Sequence, residues 1–193
     1  MNQRNHTGAA RVLISFLLSL QLLLFVSCSC GASAQKTAAE AILDRVIACD
    51  ASQLAAIMGS DITALSDMEQ FTLRRMEYKI ISAEKIDETH WDVTADTRLY
   101  DLMALFNEAF LYVYDSADAA VASTVSTWAL EKLNQGDVET GCFRAVVPLV
   151  DGGDGSWELD EARVGDDLRD AVTGGAYSWY QAYEEVFGNE SDS

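Results

Sequence analysis

The segment Trp91 to Leu99 constrains the fold most. Trp91, Val93, Ala95, Thr97 and Leu99 alternate with Asp92, Thr94, Asp96 and Arg98. A period of two is that of a β-strand, so the stretch predicts a strand with one dry face and one wet face. The dry face needs a second layer to cover it. Upstream, Tyr78 to Ile86 is rich in β-branched and aromatic residues, and Asp87-Glu88-Thr89 supplies a turn, which predicts a hairpin. Downstream, Thr140 to Val150 predicts a strand with Phe143, Ala145, Val147 and Leu149 on one face. Gly152 to Gly155 form a hairpin loop, and Trp157 and Leu159 lie on the return strand. Pro148 has no N–H to give a ladder, so it is expected at an edge or a bulge.

Helical signals surround these hairpins. Thr37 with Glu40 and Ser66 with Glu69 have capping-box spacing, and Asp50 with Gln53 repeats the cap signal. Ala38, Ile42, Val46 and Cys49 follow the first at helical spacing. The second opens a short helix through Leu54, Ile57 and Met58 that Gly59 stops, and the third a helix carrying Phe71, Leu73 and Met76. Asp101 to about Asn134 is helical again with a break near Asp115-Ser116. Its two stripes are Leu102, Leu105, Phe106, Ala109, Phe110, Val113 and then Val121, Val125, Trp128, Ala129, Leu133. Asp166 to Thr173 and Ala176 to Phe187 predict two last helices, ended by Gly174-Gly175 and Gly188. The order gives an α+β fold: a curved antiparallel sheet of about four strands, packed by N-terminal and central helices, with an extra C-terminal helix.

The first thirty-four residues read as an export signal. Arg4 and Arg11 give a positive start, Val12 to Val26 an apolar core, and Ser27 to Gln35 a small-residue stretch. The apolar run is shorter than the ~20 residues a bilayer-spanning helix needs. Two cuts fit. Ala32-Ser33-Ala34 before Gln35 suits ordinary signal peptidase, and Phe25-Val26-Ser27-Cys28 resembles a lipobox with Cys28 as the acylated residue. The second cut implies membrane attachment through acyl chains, each buried methylene contributing about 0.8 kcal/mol. Residues 35–188 are expected to form one domain and Asn189 to Ser193 a disordered tail.

All 31 acidic residues lie beyond residue 34, against 11 of the 13 basic ones, so removing the leader takes the formal charge from −18 to −20. A chain this acidic repels nucleic acid and anionic lipid heads. The acids are dispersed, as on a solvated surface. Cys49 and Cys142 remain inside the domain, and in an exported protein such a pair suggests a disulfide.

Over most of residues 37–175 the chain resembles a group of small bacterial lipoproteins with an NTF2-like (cystatin-like) domain and no assigned activity. Four stretches carry the resemblance: Ala41 to Ala51, Tyr78-Lys79-Ile80-Ile81, Gly155 to Asp160, and Ala171 to Gly175. The resemblance implies a cone-shaped fold with a pocket between sheet and helices, and no catalytic residues. On that fold Cys142 points away from the face that meets the helices, which argues against a bridge to Cys49 unless a bulge shifts the strand.

The chemistry the residues offer is sparse. His90 is the one histidine beyond the leader and reads as a surface residue, leaving no catalytic triad and no zinc cluster. Asp151 to Gly155 begins like a calcium loop, but Gly153, Gly155 and Ala162 occupy ligand positions, so a hairpin turn explains it. Asp160-Glu161 with Asp166 and Asp167 reads as a solvated edge, with a weak divalent-ion site as the lesser alternative, and no metal or cofactor is expected. The Asn189-Glu190-Ser191 sequon carries no meaning in a bacterial chain. Aromatic stripes at helical spacing read first as core; the alternative makes Tyr100, Phe106, Phe110, Tyr180 and Tyr183 candidate pocket-lining residues.

The leading expectation is an exported, non-enzymatic domain binding a small ligand or an envelope protein, without nucleic acid. One alternative is a pocket enzyme using Asp96 or Asp92 near Tyr100, which requires a buried acid with a raised pKa. Another is a homodimer formed through an exposed apolar sheet face bearing Tyr78 and Ile80.

Overall fold

The structure is a computed structural model, and it describes residues 32–116 and 121–187. Residues 1–31 with Cys28, the end of the last helix at Gly188 and the tail from Asn189 lie outside the described residues, as do the side chains of Val113, Val121 and Val125. Helix α1 spans 32–47, α2 Ala51–Met58 and α3 Asp67–Leu73. Then follow β1 (Glu77–Lys85), β2 (His90–Tyr100), α4 (Leu102–Ser116), α5 (Val121–Gln135), β3 (Thr140–Asp151) and β4 (Trp157–Leu159). A 3₁₀ turn at Glu161–Arg163 leads into α6 (Asp166–Thr173) and α7 (Ala176–Phe187). The α+β class and the four-stranded antiparallel sheet stand as expected, with strand order β1-β2-β3-β4.

Alternation sets the layers. On β2, Val93, Ala95, Thr97 and Leu99 are 2 % exposed or less, and on β3 Ala145, Val147 and Leu149 are fully covered. Continuous pairing from His90↔Val150 to Tyr100↔Thr140 joins the two dry stripes. Helices α1, α2, α3 and α6 meet that face through Leu43, Val46, Leu54, Ile57, Leu73 and Leu168. Thr97 is the polar member of the stripe. Its Oγ1 donates to the Ala171 carbonyl of α6 at 3.2 Å, so burial leaves no orphan hydroxyl.

Helix ends follow local chemistry. Asp50 accepts from the Ser52 and Gln53 amides at the start of α2, and Gly59 closes it in the left-handed region at φ +66°. Ser66 and Glu69 form a complete capping box on α3. Thr37 is different: α1 is already helical at residue 32, so Thr37 lies inside it and caps nothing. The capping-box spacing matched, but the small residues before it are also good helix formers and the helix propagates through them. Cys49 is not on the helical face either, because it follows the end of α1 with φ +61°.

Two other expectations change. Among the described residues the central helices lie mainly off the sheet, meeting it through Tyr100 at the end of β2. Instead, α4 and α5 pack on each other and α4 on α7, while α6 lies across β3 and β2. Pro148 stands at an edge, as expected: it pairs with Asp92 of β2 on one side, and β4 pairs only from Leu149 on along the other. It is tolerated because β4 is three residues long: the Pro148 carbonyl accepts from the Asp160 amide where β4 ends, and its nitrogen faces that same open side. Tyr78 and Ile80 face the helices, so the expected apolar outer face is not there. A bulge between Ile80 and Ser82 leaves Ile81 as the exposed apolar residue of β1.

Candidate functional site

A cleft of about 190 Å³ opens where the sheet-covering helices meet α4 and α7. Its walls come from Leu54 and Met58 of α2, Met68, Thr72 and Leu73 of α3, Leu102 and Phe106 of α4, and Val172, Thr173 and Ala176 at the α6–α7 junction. Ile62 and Leu65 close it from the segment between α2 and α3. That segment leaves α2 at the left-handed Gly59 and enters α3 at the Ser66 cap, so its two fixed ends hold Ile62 and Leu65 over the opening.

Both threonine hydroxyls in this wall are already engaged. Thr72 Oγ1 donates to the Met68 and Glu69 carbonyls at 3.1 and 2.9 Å. Thr173 Oγ1 donates to the Arg169 carbonyl and accepts the Tyr177 amide. Glu69 Oε2 accepts from the Ser66 amide at 2.6 Å. The wall therefore offers an occupant mainly shape and apolar contact, with the exposed Glu69 carboxylate as its one charged group.

The five aromatic candidates do not gather at one mouth. Phe106 lines the cleft and packs on Trp179, with ring centroids 5.4 Å apart. Trp179 stacks on Tyr183, and Phe110 meets Tyr183 edge-on at 6.5 Å, so these rings form a string along α4 and α7. Tyr180 and Tyr183 are 52 % and 41 % exposed. Tyr100 stacks on Phe71 at 6.0 Å and lines a separate hollow with Arg75, Arg98 and Thr140. Helical spacing places aromatics on one stripe but does not say which neighbour covers it. Of the five candidates only Phe106 lines the cleft, and the other walls, Met58, Ile62, Leu65 and Met68 among them, are unexpected there. Ile62 and Leu65 carried a usable signal, since two large apolar residues in a stretch without helix or strand period need something to cover.

Cys49 and Cys142 are both free thiols. Cys49 is half-buried beside the core, its sulfur 3.9 Å from the Gln70 carbonyl oxygen. Cys142 is exposed on the wet face of β3, opposite Arg98, so the sheet separates the two and the disulfide does not form.

Asp92 and Asp96 also lie on the wet face. Asp92 Oδ1 accepts from Arg163 Nη2 at 2.8 Å. Asp96 is held bidentately by Arg144 at 2.7 and 3.1 Å, and the guanidinium keeps its carboxyl below the usual range. That is the opposite of the raised acid the enzymatic alternative requires. His90 is half-buried, its Nδ1 2.9 Å from Asp87 Oδ1. The Asp87 carboxyl is lowered to about 2, first by the Thr89 amide and then by His90. Asp160, Asp166 and Asp167 are each held by protein groups: Asp160 near His90 and Arg163, Asp166 on Arg169, and Asp167 on the Val146 amide. No helix among the described residues is long and apolar enough to cross a membrane. Compared with protein-family models, curated proteins and solved structures, the chain matches none.

Proposed function

We propose that this chain is an exported, non-enzymatic binding domain on an NTF2-like scaffold, holding a small apolar ligand in the cleft between α2, α3, α4 and the α6–α7 junction. The observation that carries the reading is a mostly apolar cleft of about 190 Å³ whose two threonine hydroxyls are already bonded within the protein. A dry cavity of about 150 Å³ is enough for benzene, so a single ring or a short alkyl chain is the matching size. Met58 and Met68 suit such a site because a thioether side chain repacks easily around different shapes. Titration with toluene, followed by the methyl resonances of Met58 and Met68, tests it. Saturable shifts are expected, and in Met58→Trp, which adds bulk to the cleft wall, the Met68 methyl should no longer respond; methyls that do not move in the unsubstituted protein would remove the reading.

The NTF2-like scaffold is supported by the four-stranded antiparallel sheet with helices on one face. The position of α4 and α5 beside the sheet is where this chain departs from that pattern. Attachment through an acylated Cys28 is the form of export we propose. A cut before Cys28 leaves α1 whole, whereas a cut after Ala34 removes residues 32–34 from it. The intact mass of the mature chain decides: a start at Cys28 with acyl chains supports attachment, and a start at Gln35 means a secreted domain.

A further inference from the structure

The wet face of the sheet carries cations that this acidic chain has not neutralised. The formal charge is −18, with 31 acidic residues against 13 basic ones. Strand register places two cross-strand rows side by side on that face: Glu77, Arg98 and Cys142, then Lys79, Asp96 and Arg144. They line a groove of about 460 Å³ on the side of the sheet opposite the helices. A second hollow of about 210 Å³ shares Glu77 and Arg98 and adds Arg75 and Thr140.

The pairing within the groove is uneven. Arg144 is engaged bidentately by Asp96. Arg98 stands opposite Glu77 in register but does not pair with it. Its Nε donates to the neutral Thr140 Oγ1 at 3.1 Å, and its Nη groups have no acceptor among the described residues. Lys79, opposite Asp96, forms no ion pair among the described residues. Arg75 lies over the Phe71 ring at 3.7 Å and donates to the Phe71 carbonyl, again a neutral partner. Lys79 and Arg98 are diagonal neighbours across the β1–β2 pair, a separation of ~7–8 Å that long side chains close easily. An oxyanion between them would accept from an ammonium and from the forked Nη donors, the strong charge-assisted geometry.

We propose that the wet face carries an oxyanion site between Lys79 Nζ and the Nη groups of Arg98, taking a small soluble ligand that bears a phosphate or carboxylate group. Glu77 and Asp96 in the same groove limit it to a compact anion seated on those two cations. A soluble ligand is favoured over a membrane headgroup because the net charge of the whole chain repels an anionic surface. The site lies across the sheet from the apolar cleft and does not depend on it.

Inorganic phosphate is the probe, with backbone amide shifts as the readout. Saturable shifts at Lys79, Arg98 and Cys142 are expected. Lys79→Gln and Arg98→Gln should each weaken binding about tenfold, the order of one charge-assisted hydrogen bond. Lys85→Gln, at the far end of β1, should leave it unchanged. Unsaturating shifts, or equal loss in all three variants, would mean diffuse attraction and overturn the site. Capture by phosphatidylglycerol vesicles that Arg98→Gln abolishes, without a response to free phosphate, would assign the cations to a lipid headgroup and overturn the soluble-ligand form.

Discussion

The sheet with α1, α2, α3 and α6 and the group formed by α4, α5 and α7 are built on different principles. In the first, residues from Ala39 to Val172 converge on one cluster, and the pairings that bring them together span long stretches of chain. In the second, Leu102, Leu105, Ala129 and Leu133 form a smaller cluster, extended by half-buried rings such as Phe106 and Trp128. Large apolar residues stay open there: Leu111 is 65 % and Met103 41 % exposed. Long-range register makes the first region an all-or-none unit, while a helical pair with a thin core can open by itself. The apolar cleft lies along the seam between them, where Leu54 and Leu73 of one cluster face Leu102 of the other.

The comparison can be broken at its strongest point by removing one leucine from each cluster. Leu149→Ala should cost about 3–4 kcal/mol in global unfolding, and Leu105→Ala about 2 kcal/mol. Native-state hydrogen exchange sharpens this: Leu105→Ala should accelerate amides near Ala129 to Leu133 and leave those of β2 nearly unchanged. Equal acceleration in both would mean one cooperative unit.

The next test is the joint. Gly174 ends α6 at φ +61°, and a Cβ there would come within 2.2 Å of the Tyr100 carbonyl oxygen at the end of β2. The Gly174 carbonyl also accepts the Met103 amide of α4. Gly174→Ala should therefore cost about 2 kcal/mol or more, through the clash and the left-handed backbone together. The accompanying loss of packing should show in Trp179 fluorescence; a near-neutral melting temperature would mean that the joint is soft.

Capping gives a smaller contrast. Ser66→Ala should cost about 1 kcal/mol, because Ser66 accepts the Glu69 amide of α3, a helix that touches both clusters. Thr37→Ala should stay within about 0.5 kcal/mol, since Thr37 caps nothing. A cost for Thr37→Ala equal to that for Ser66→Ala would put the start of α1 back at Thr37.

The smallest effect is in pH. Asp87 has a folded pKa of about 2 against 3.8 for the free carboxyl. Its contribution is complete above the unfolded value and is lost as pH falls from there through about 2. The hairpin end bearing Asp87 and His90 should thus loosen in acid before α4 and α5 do. Asp87→Asn should flatten the acid limb of the stability curve; an unchanged limb would sink the assignment.

Features written within a few residues could be read directly. The alternation of β2, the Ser66–Glu69 box, the Gly59 and Gly174 stops and both hairpin turns each depend on local geometry, and each stands where expected. Thr37 shows the limit of such signals: the same spacing as at Ser66 occurs inside a helix that starts earlier. Pro148 kept to its own signal, since its missing N–H requires an open side and β4 pairs only from Leu149 on. The cleft was legible only in part. Leu102 and Phe106 were assigned to an apolar stripe, but their partners Met58 and Met68 are tens of residues away.

What the sequence by itself determined is the period of each element, where most of them end, and the strong excess of acid over base, because these depend on the nearest neighbours or on composition alone. What only the tertiary structure decided is which stripes meet. It set α6 rather than α4 on the sheet, turned Tyr78 and Ile80 inward with a bulge at Ile81, separated Cys49 from Cys142, and gathered Lys79, Arg98 and Arg144 on one face. The physical reason is that cross-strand register and layer packing join residues far apart in sequence, so their outcome is fixed by the whole set of buried contacts and is written at no single position.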